Sequence, residues 1–166
     1  VNPEEMTVDI DGVVENVDVC NVIPAQRAGS IAFAAGITED NWAPVSAYDM
    51  SSRMDENIHV LGDSAAQGAM PKSGFSANSQ AKVAANAILA ALTDSRAFPA
   101  RFANTCWSLI ATDDGVKVGA TYEASDEGIV STGSFISEVG ETDELRAETY
   151  RESIDWYDAI ATDMFS

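Results

Sequence analysis

The sequence predicts two architectures in succession, an α/β stretch over residues 1–93 and a small α+β module over residues 94–166. Three observations carry this reading. The apolar run Ile58-His-Val-Leu-Gly-Asp63 reads as a strand that delivers a Gly-Asp pair to its carboxyl end. The segment Met70-Pro-Lys-Ser73 then opens a small-residue helix. Further on, three strand-like runs are separated by Asp113-Asp-Gly115 and Asp126-Glu-Gly128, and an amphipathic segment closes the chain.

Taken in order, residues 6–10 and 13–19 flank Asp11-Gly12, a strong hairpin signal, and Pro24 ends the second strand. Residues 26–35 form a short helix stopped by Gly36, and residues 57–61 form a strand. Residues 76–93 carry Val83, Ala84, Ala87, Ile88, Ala91 and Leu92 on one helical face, with alanine raising propensity throughout. The segment Asp94-Ser-Arg-Ala-Phe-Pro99 breaks that helix and marks the boundary between the two parts. Residues 106–111, 116–123 and 128–135 form an antiparallel meander. Residues 145–165 form a helix whose stripe, Tyr150, Ile154, Tyr157, Ala161 and Met164, is expected to cover that sheet.

The balance of 27 acidic against 9 basic residues, a formal net charge of −18, argues against nucleic acid, whose binding needs basic surface. It suits either a basic protein partner or a generally acidic solvated surface. No apolar run is long enough to span a bilayer. Beginning at Val1, the chain reads as a processed product or an excised fragment. Two cysteines are too few for a disulfide framework. Cys20, in an apolar run, reads as a small buried hydrophobe, and Cys106 is either that or a reactive thiol. The single histidine, His59, makes no metal-ligand spacing with either cysteine, so no metal site is expected.

Ligands in open α/β sheets sit at the carboxyl ends of strands, and helix N-termini favour electron-rich groups. Gly62-Asp63 at a strand end therefore suits a carboxylate holding a polyol such as the ribityl chain of FAD, although an Asx turn would use Asp63 equally well. The segment Pro71–Ser76 can aim amides at a flavin edge where reduction places negative charge, and Lys72 can add a full positive charge. Ser73, Ser76 and Asn78 are alternatively ordinary helix caps. A thiolate beside an oxidised flavin can pass it two electrons, which gives Cys106 a redox reading. Trp107 and Trp156 are either aromatic cover for the ring or plain core. No Gly-x-Gly-x-x-Gly follows a strand, so these residues lack the usual means of holding an ADP pyrophosphate.

Five motifs stand in order: Asn21-Val-Ile-Pro-Ala-Gln-Arg-Ala-Gly29, Ile58-His-Val-Leu-Gly-Asp63, Met70-Pro-Lys-Ser-Gly-Phe-Ser-Ala-Asn-Ser-Gln80, Asn104-Thr-Cys-Trp-Ser108 and Ser153-Ile-Asp-Trp-Tyr157. Together they resemble the carboxyl-terminal part of the flavoprotein subunit of flavocytochrome c sulfide dehydrogenase. The resemblance implies the tail of a glutathione-reductase-like FAD-binding domain followed by a small flavoprotein carboxyl-terminal domain. It implies FAD held by Gly62, Asp63, Met70, Pro71, Lys72, Ser73, Phe75, Thr105 and Trp156, and Cys106 as one half of a redox-active cysteine pair.

It further implies sulfide as substrate, a c-type cytochrome partner, a periplasmic location, and an upstream half of the flavoprotein that supplies the second cysteine and the ADP-binding glycines. On that view the fragment alone is inactive. Phe75 stands where the family leads one to expect a tyrosine, which removes a hydroxyl and keeps the ring. Two other readings stay open from the residues: a sulfide:quinone-type flavoprotein relative, and a non-enzymatic module that docks a cytochrome.

Overall fold

A computed structural model describes residues 1–165. The chain opens with the hairpin β1 (Thr7–Ile10) and β2 (Val13–Asn16), paired antiparallel with Ile10 opposite Val13. Asp11 and Gly12 both have positive φ, 52° and 88°, as the tight two-residue turn demands, and the Asp9 carboxylate accepts the Gly12 N–H at 2.8 Å. β2 ends at Asn16, three residues earlier than its apolar pattern suggests. The residues after it follow no regular ladder, so Cys20 is exposed and not the buried hydrophobe that its sequence neighbours imply. A short helix α1 (Ser30–Ala34) follows, stopped at Gly36 with φ of 69°.

Residues 57–61 do not make the expected strand. His59 forms one antiparallel bridge with Ser51, and Val60 N–H reaches the Met50 carbonyl, without an extended ladder. The parallel pairing near the Gly-Asp turn is instead between β3 (Ala43–Pro44) and β4 (Ala65–Ala66). Gly62–Ser64 is a single 3₁₀ turn in which Gly62, buried, takes φ of 69°, a conformation open to glycine at little cost.

Helix α2 (Gly74–Thr93) begins where Ser73 accepts the Ser76 N–H and ends at Asp94, whose left-handed backbone donates to the Ala90 carbonyl. Its buried positions are Ser76, Gln80, Ala84 and Ala90, while Ile88, Leu89 and Leu92 are exposed. The helix therefore packs through its small and polar residues. Three strands then form one antiparallel meander in the order β5 (Arg101–Ala111), β6 (Asp114–Ser125), β7 (Gly128–Ile136). All three run longer than their apolar cores, because an antiparallel ladder continues through any residue whose backbone can pair. The main core joins Val45, Met50, Ala65, Met70 and Ala84 to Phe102, Tyr122 and Ile129, and so runs across residues 94–99.

Helix α3 (Asp143–Phe165) covers part of the meander, but not with the stripe its spacing suggests. Ile154, Tyr157 and Met164 are exposed at 43%, 66% and 59%. The face toward β6 is Thr149, fully buried, together with Arg146 and Glu152, which pair with Asp114 and Lys117 of β6. The reason is steric. A Cβ on Gly115 would lie 2.9 Å from the Tyr150 backbone nitrogen, so the helix backbone rests directly on β6 and leaves no room for bulky side chains between. Ile154→Asp is accordingly expected to shift stability by no more than about 0.5 kcal/mol, the range of surface substitutions. A thermal melt reads this directly, and a melting temperature lowered by many degrees would show the helix face to be misassigned.

Candidate functional site

β5 carries the central residues. Side chains alternate along a strand, so Phe102, Asn104 and Cys106 share the face toward α2, and Thr105 and Trp107 lie on the face toward α3. α2 covers Phe102 and Asn104 and begins just there, leaving Cys106 exposed beyond its first turn. Directly paired residues share a face, so Cys106, Val118 and Ile136 form one row across all three strands. Val118 and Ile136 are exposed as well, which leaves an uncovered apolar row around the thiol.

Ser73, Phe75, Thr105, Cys106 and Trp156 come together on one open cleft of about 520 Å³. Phe75 and Trp156 stack with centroids 5.4 Å apart and planes 13° from parallel. Trp107 leans on both, at 6.0 and 5.7 Å. Trp107 thereby belongs to the aromatic wall, and its indole N–H is buried with no hydrogen-bond partner among the described residues. Ile154 and Tyr157, the apolar stripe that does not reach the sheet, line this same cleft.

Gly62, Asp63, Met70, Pro71 and Lys72 form a second group, tied to the first through the start of α2. Asp63 is exposed. Lys72 spends two of its N–H donors on the carbonyls of Asp63 and Ala65, at 2.7 and 2.8 Å, and sits 3.7 Å from the ring centroid of Trp42. Burial pushes its amine below the ordinary lysine range, partly offset by the Asp63 charge. Lys72 thus clamps the Gly-Asp turn. The Met70 side chain is a core residue, 5% exposed, against the amide of Gln80, and Pro71 is exposed.

Three buried polar residues that hold this arrangement are not evident from the motifs as read. Gln80, fully buried in α2, accepts the Gly62 N–H at 2.7 Å and donates to Gln67 at 2.8 Å. Gln67 in turn donates to the carbonyls of Met70 and Pro71. Asn104, 4% exposed, accepts from the hydroxyls of Ser73 and Ser76 and donates to Cys106 Sγ at 3.4 Å. The available signal was periodicity: Ser76, Gln80 and Ala84 fall at i, i+4 and i+8, so two polar residues occupy an otherwise small-residue face. On β6, Tyr122 lies close enough to Cys106 that burial first, and then the cysteine charge, raise its phenol above the usual range.

An aromatic-walled cleft at the start of a twenty-residue helix, with a thiol on its rim, suits a planar redox group. The first amides of α2, at Gly74 and Phe75, precede any carbonyl that could pair them within the helix, and so are available to an electron-rich edge. The buried Trp107 N–H, with no partner among the described residues, is one further donor in that wall. The residues present fit the reactive ring of a flavin. They offer no glycine-rich turn for its pyrophosphate.

The antiparallel meander and its covering helix, within a mixed α/β chain, fit a flavin-binding domain. Residues 98–165 match the family described as flavocytochrome c sulphide dehydrogenase, flavin-binding, which is consistent with the carboxyl-terminal part of such a flavoprotein. Its cofactor is FAD, its role is FAD-linked redox chemistry, and the family name couples the flavin domain to a cytochrome c. Among the described residues no helix is long and apolar enough to cross a membrane.

Proposed function

We propose that this chain is the carboxyl-terminal portion of an FAD-dependent sulfide dehydrogenase that passes electrons from sulfide, through a cysteine pair and FAD, to a c-type cytochrome. The observation that carries the reading is the exposed Cys106 thiol on the rim of the aromatic cleft, one strand residue from Thr105 and just beyond the first turn of α2. Cys106 and a second cysteine from the upstream half of the flavoprotein form a disulfide. Hydrosulfide attacks one sulfur, a new S–S bond forms, the old one breaks, and a thiolate leaves. FAD, when bound, would supply the two-electron acceptor for that thiolate and persulfide, and the electron pair would pass on singly from the flavin. Overall the cysteine disulfide re-forms and one sulfur atom leaves at the zero-valent level. Within this chain, Asp63 would accept hydrogen bonds from ribityl hydroxyls, the Gly74 and Phe75 amides would stabilise negative charge that develops on the reduced flavin, and Phe75 and Trp156 would exclude water.

The glutathione-reductase-like frame for residues 1–93 is part of the same proposal, as is a periplasmic setting. Exposed Ile88, Leu89 and Leu92 on α2, and Val14 and Ile10 on the hairpin, support an upstream half that covers them. The purified native flavoprotein, cytochrome removed, is expected to show a flavin spectrum that bleaches on anaerobic addition of sulfide. A colourless native protein, or a flavin that sulfide leaves oxidised, would end this reading.

A further inference from the structure

Nothing in the proposed chemistry above uses Asn104, yet among the described residues it is the buried side chain that hydrogen-bonds to the thiol. It is 4% exposed, paired with Ala120 across the sheet, and two residues before Cys106 on the same strand face. Its orientation is fixed from the far side. The Ser73 hydroxyl accepts the Ser76 N–H as the cap of α2, so its own hydrogen needs an acceptor, and the Asn104 carbonyl oxygen supplies it. The Ser76 hydroxyl, fully buried, donates to the same oxygen at 3.2 Å. With the oxygen held by two hydroxyls, the amide NH₂ must face outward, and it donates to Cys106 Sγ at 3.4 Å.

We propose that Asn104 is the positioning residue for Cys106: it ties the sulfur to the N-terminus of α2 and donates a hydrogen bond to the thiolate. This rests on the role given to Cys106 above. A donor aimed at a sulfur favours the charged form, and an N–H that must otherwise stay buried and unpaired holds the sulfur to one place. The remaining groups around the thiol oppose or ignore its charge. Tyr122 of β6 is a neutral phenol, Lys117 of β6 is committed to Glu152 of α3, and Ile136, the last residue of β7, and Ser137 just after it carry no charge. The first turn of α2 holds no acidic residue.

The test is the pH profile of Cys106 alkylation by iodoacetamide in the reduced, FAD-loaded full-length flavoprotein, read by peptide mass spectrometry with Cys20 as internal reference. In Asn104→Leu the midpoint for Cys106 is expected to rise by about 1–2 pH units, the scale of a hydrogen bond to a charged group. In Asn104→Asp, which keeps the shape and both serine hydroxyls as donors, it rises at least as far, because a carboxylate replaces the N–H. The Cys20 profile stays where it was in both. The aspartate variant carries the test if the leucine variant fails to fold. An unmoved Cys106 midpoint in a folded variant overturns the assignment. That outcome is separate from failure of the functional reading, which would appear as full sulfide turnover without the Cys106 thiol whatever Asn104 does.

Discussion

Replacing Cys106 by serine in the complete flavoprotein with its cytochrome is expected to lower sulfide-dependent cytochrome reduction on the order of 10³-fold or more, the scale on which enzymes register loss of a covalent nucleophile. Serine has nearly the same size, so the row with Val118 and Ile136 stays intact and the fold is undisturbed. Flavin content should remain close to that of the wild type, because the proposed cofactor contacts are the amides at the start of α2, Asp63 and the aromatic wall. The hydroxyl, with its far higher pKa, can neither form the disulfide nor leave as an anion at neutral pH. Cys20→Ser serves as the comparison. Cys20 is also exposed but sits on a segment without regular structure, away from the cleft, and its loss should leave the rate unchanged. Retention of turnover by Cys106→Ser would return the residue to a structural role.

Gly115→Val is expected to damage the packing of α3 on the meander severely. The added Cβ would lie 2.9 Å from the Tyr150 nitrogen, 3.1 Å from its Cα and 3.3 Å from the Thr149 carbonyl carbon, all backbone atoms of α3 that no rotamer change can move. The helix must lift, and with it the fully buried Thr149, the Arg146–Asp114 and Lys117–Glu152 pairs, and the stack of Trp156 on Phe75. Overpacking of this kind costs about 1–3 kcal/mol. Each kcal/mol lowers the melting temperature of a chain of this size by roughly 2–4 °C. Tryptophan fluorescence should change as well, since Trp156 leaves its partner. A variant with unaltered melting temperature and emission would mean that α3 does not rest on β6 at this distance.

These two residues mark how far the sequence could be read. The first reversal of the meander is at Thr112-Asp113, and Asp114 and Gly115, expected in the turn, already pair within β6. The meander was still legible because its reversals lie at or next to the two acidic-glycine signals, and strand pairing between neighbours in sequence needs no distant information. The closing helix was legible for the same reason. Which face of α3 meets the sheet was not, because hydrophobic spacing reports only which side is apolar. Here the sheet is met through Gly115 and two ion pairs, while Ile154 and Tyr157 face the cleft. The run 57–61 has strand composition but lacks a neighbour to complete a ladder, since β-propensity describes fit to a sheet and does not create one. At the site, Ser73, Phe75, Thr105, Cys106 and Trp156, which the family resemblance singles out, line one cleft. Asn104, Gln67 and Gln80 were not legible, because a buried amide is recognised by its partners, and those lie far away in the chain.

The Gln67–Gln80 pair also bears on which substitutions the site can accept over time. One side chain holds the Gly62 N–H, the other holds the carbonyls of Met70 and Pro71, and they hold each other. A change at either position alone leaves a buried donor or acceptor stranded, whereas a simultaneous change of both can restore the match. Positions 67 and 80 should therefore drift together or not at all, and the Gly-Asp turn and the entry to α2 inherit that constraint. Two pieces of chain that are separate in sequence thus behave as a single heritable unit.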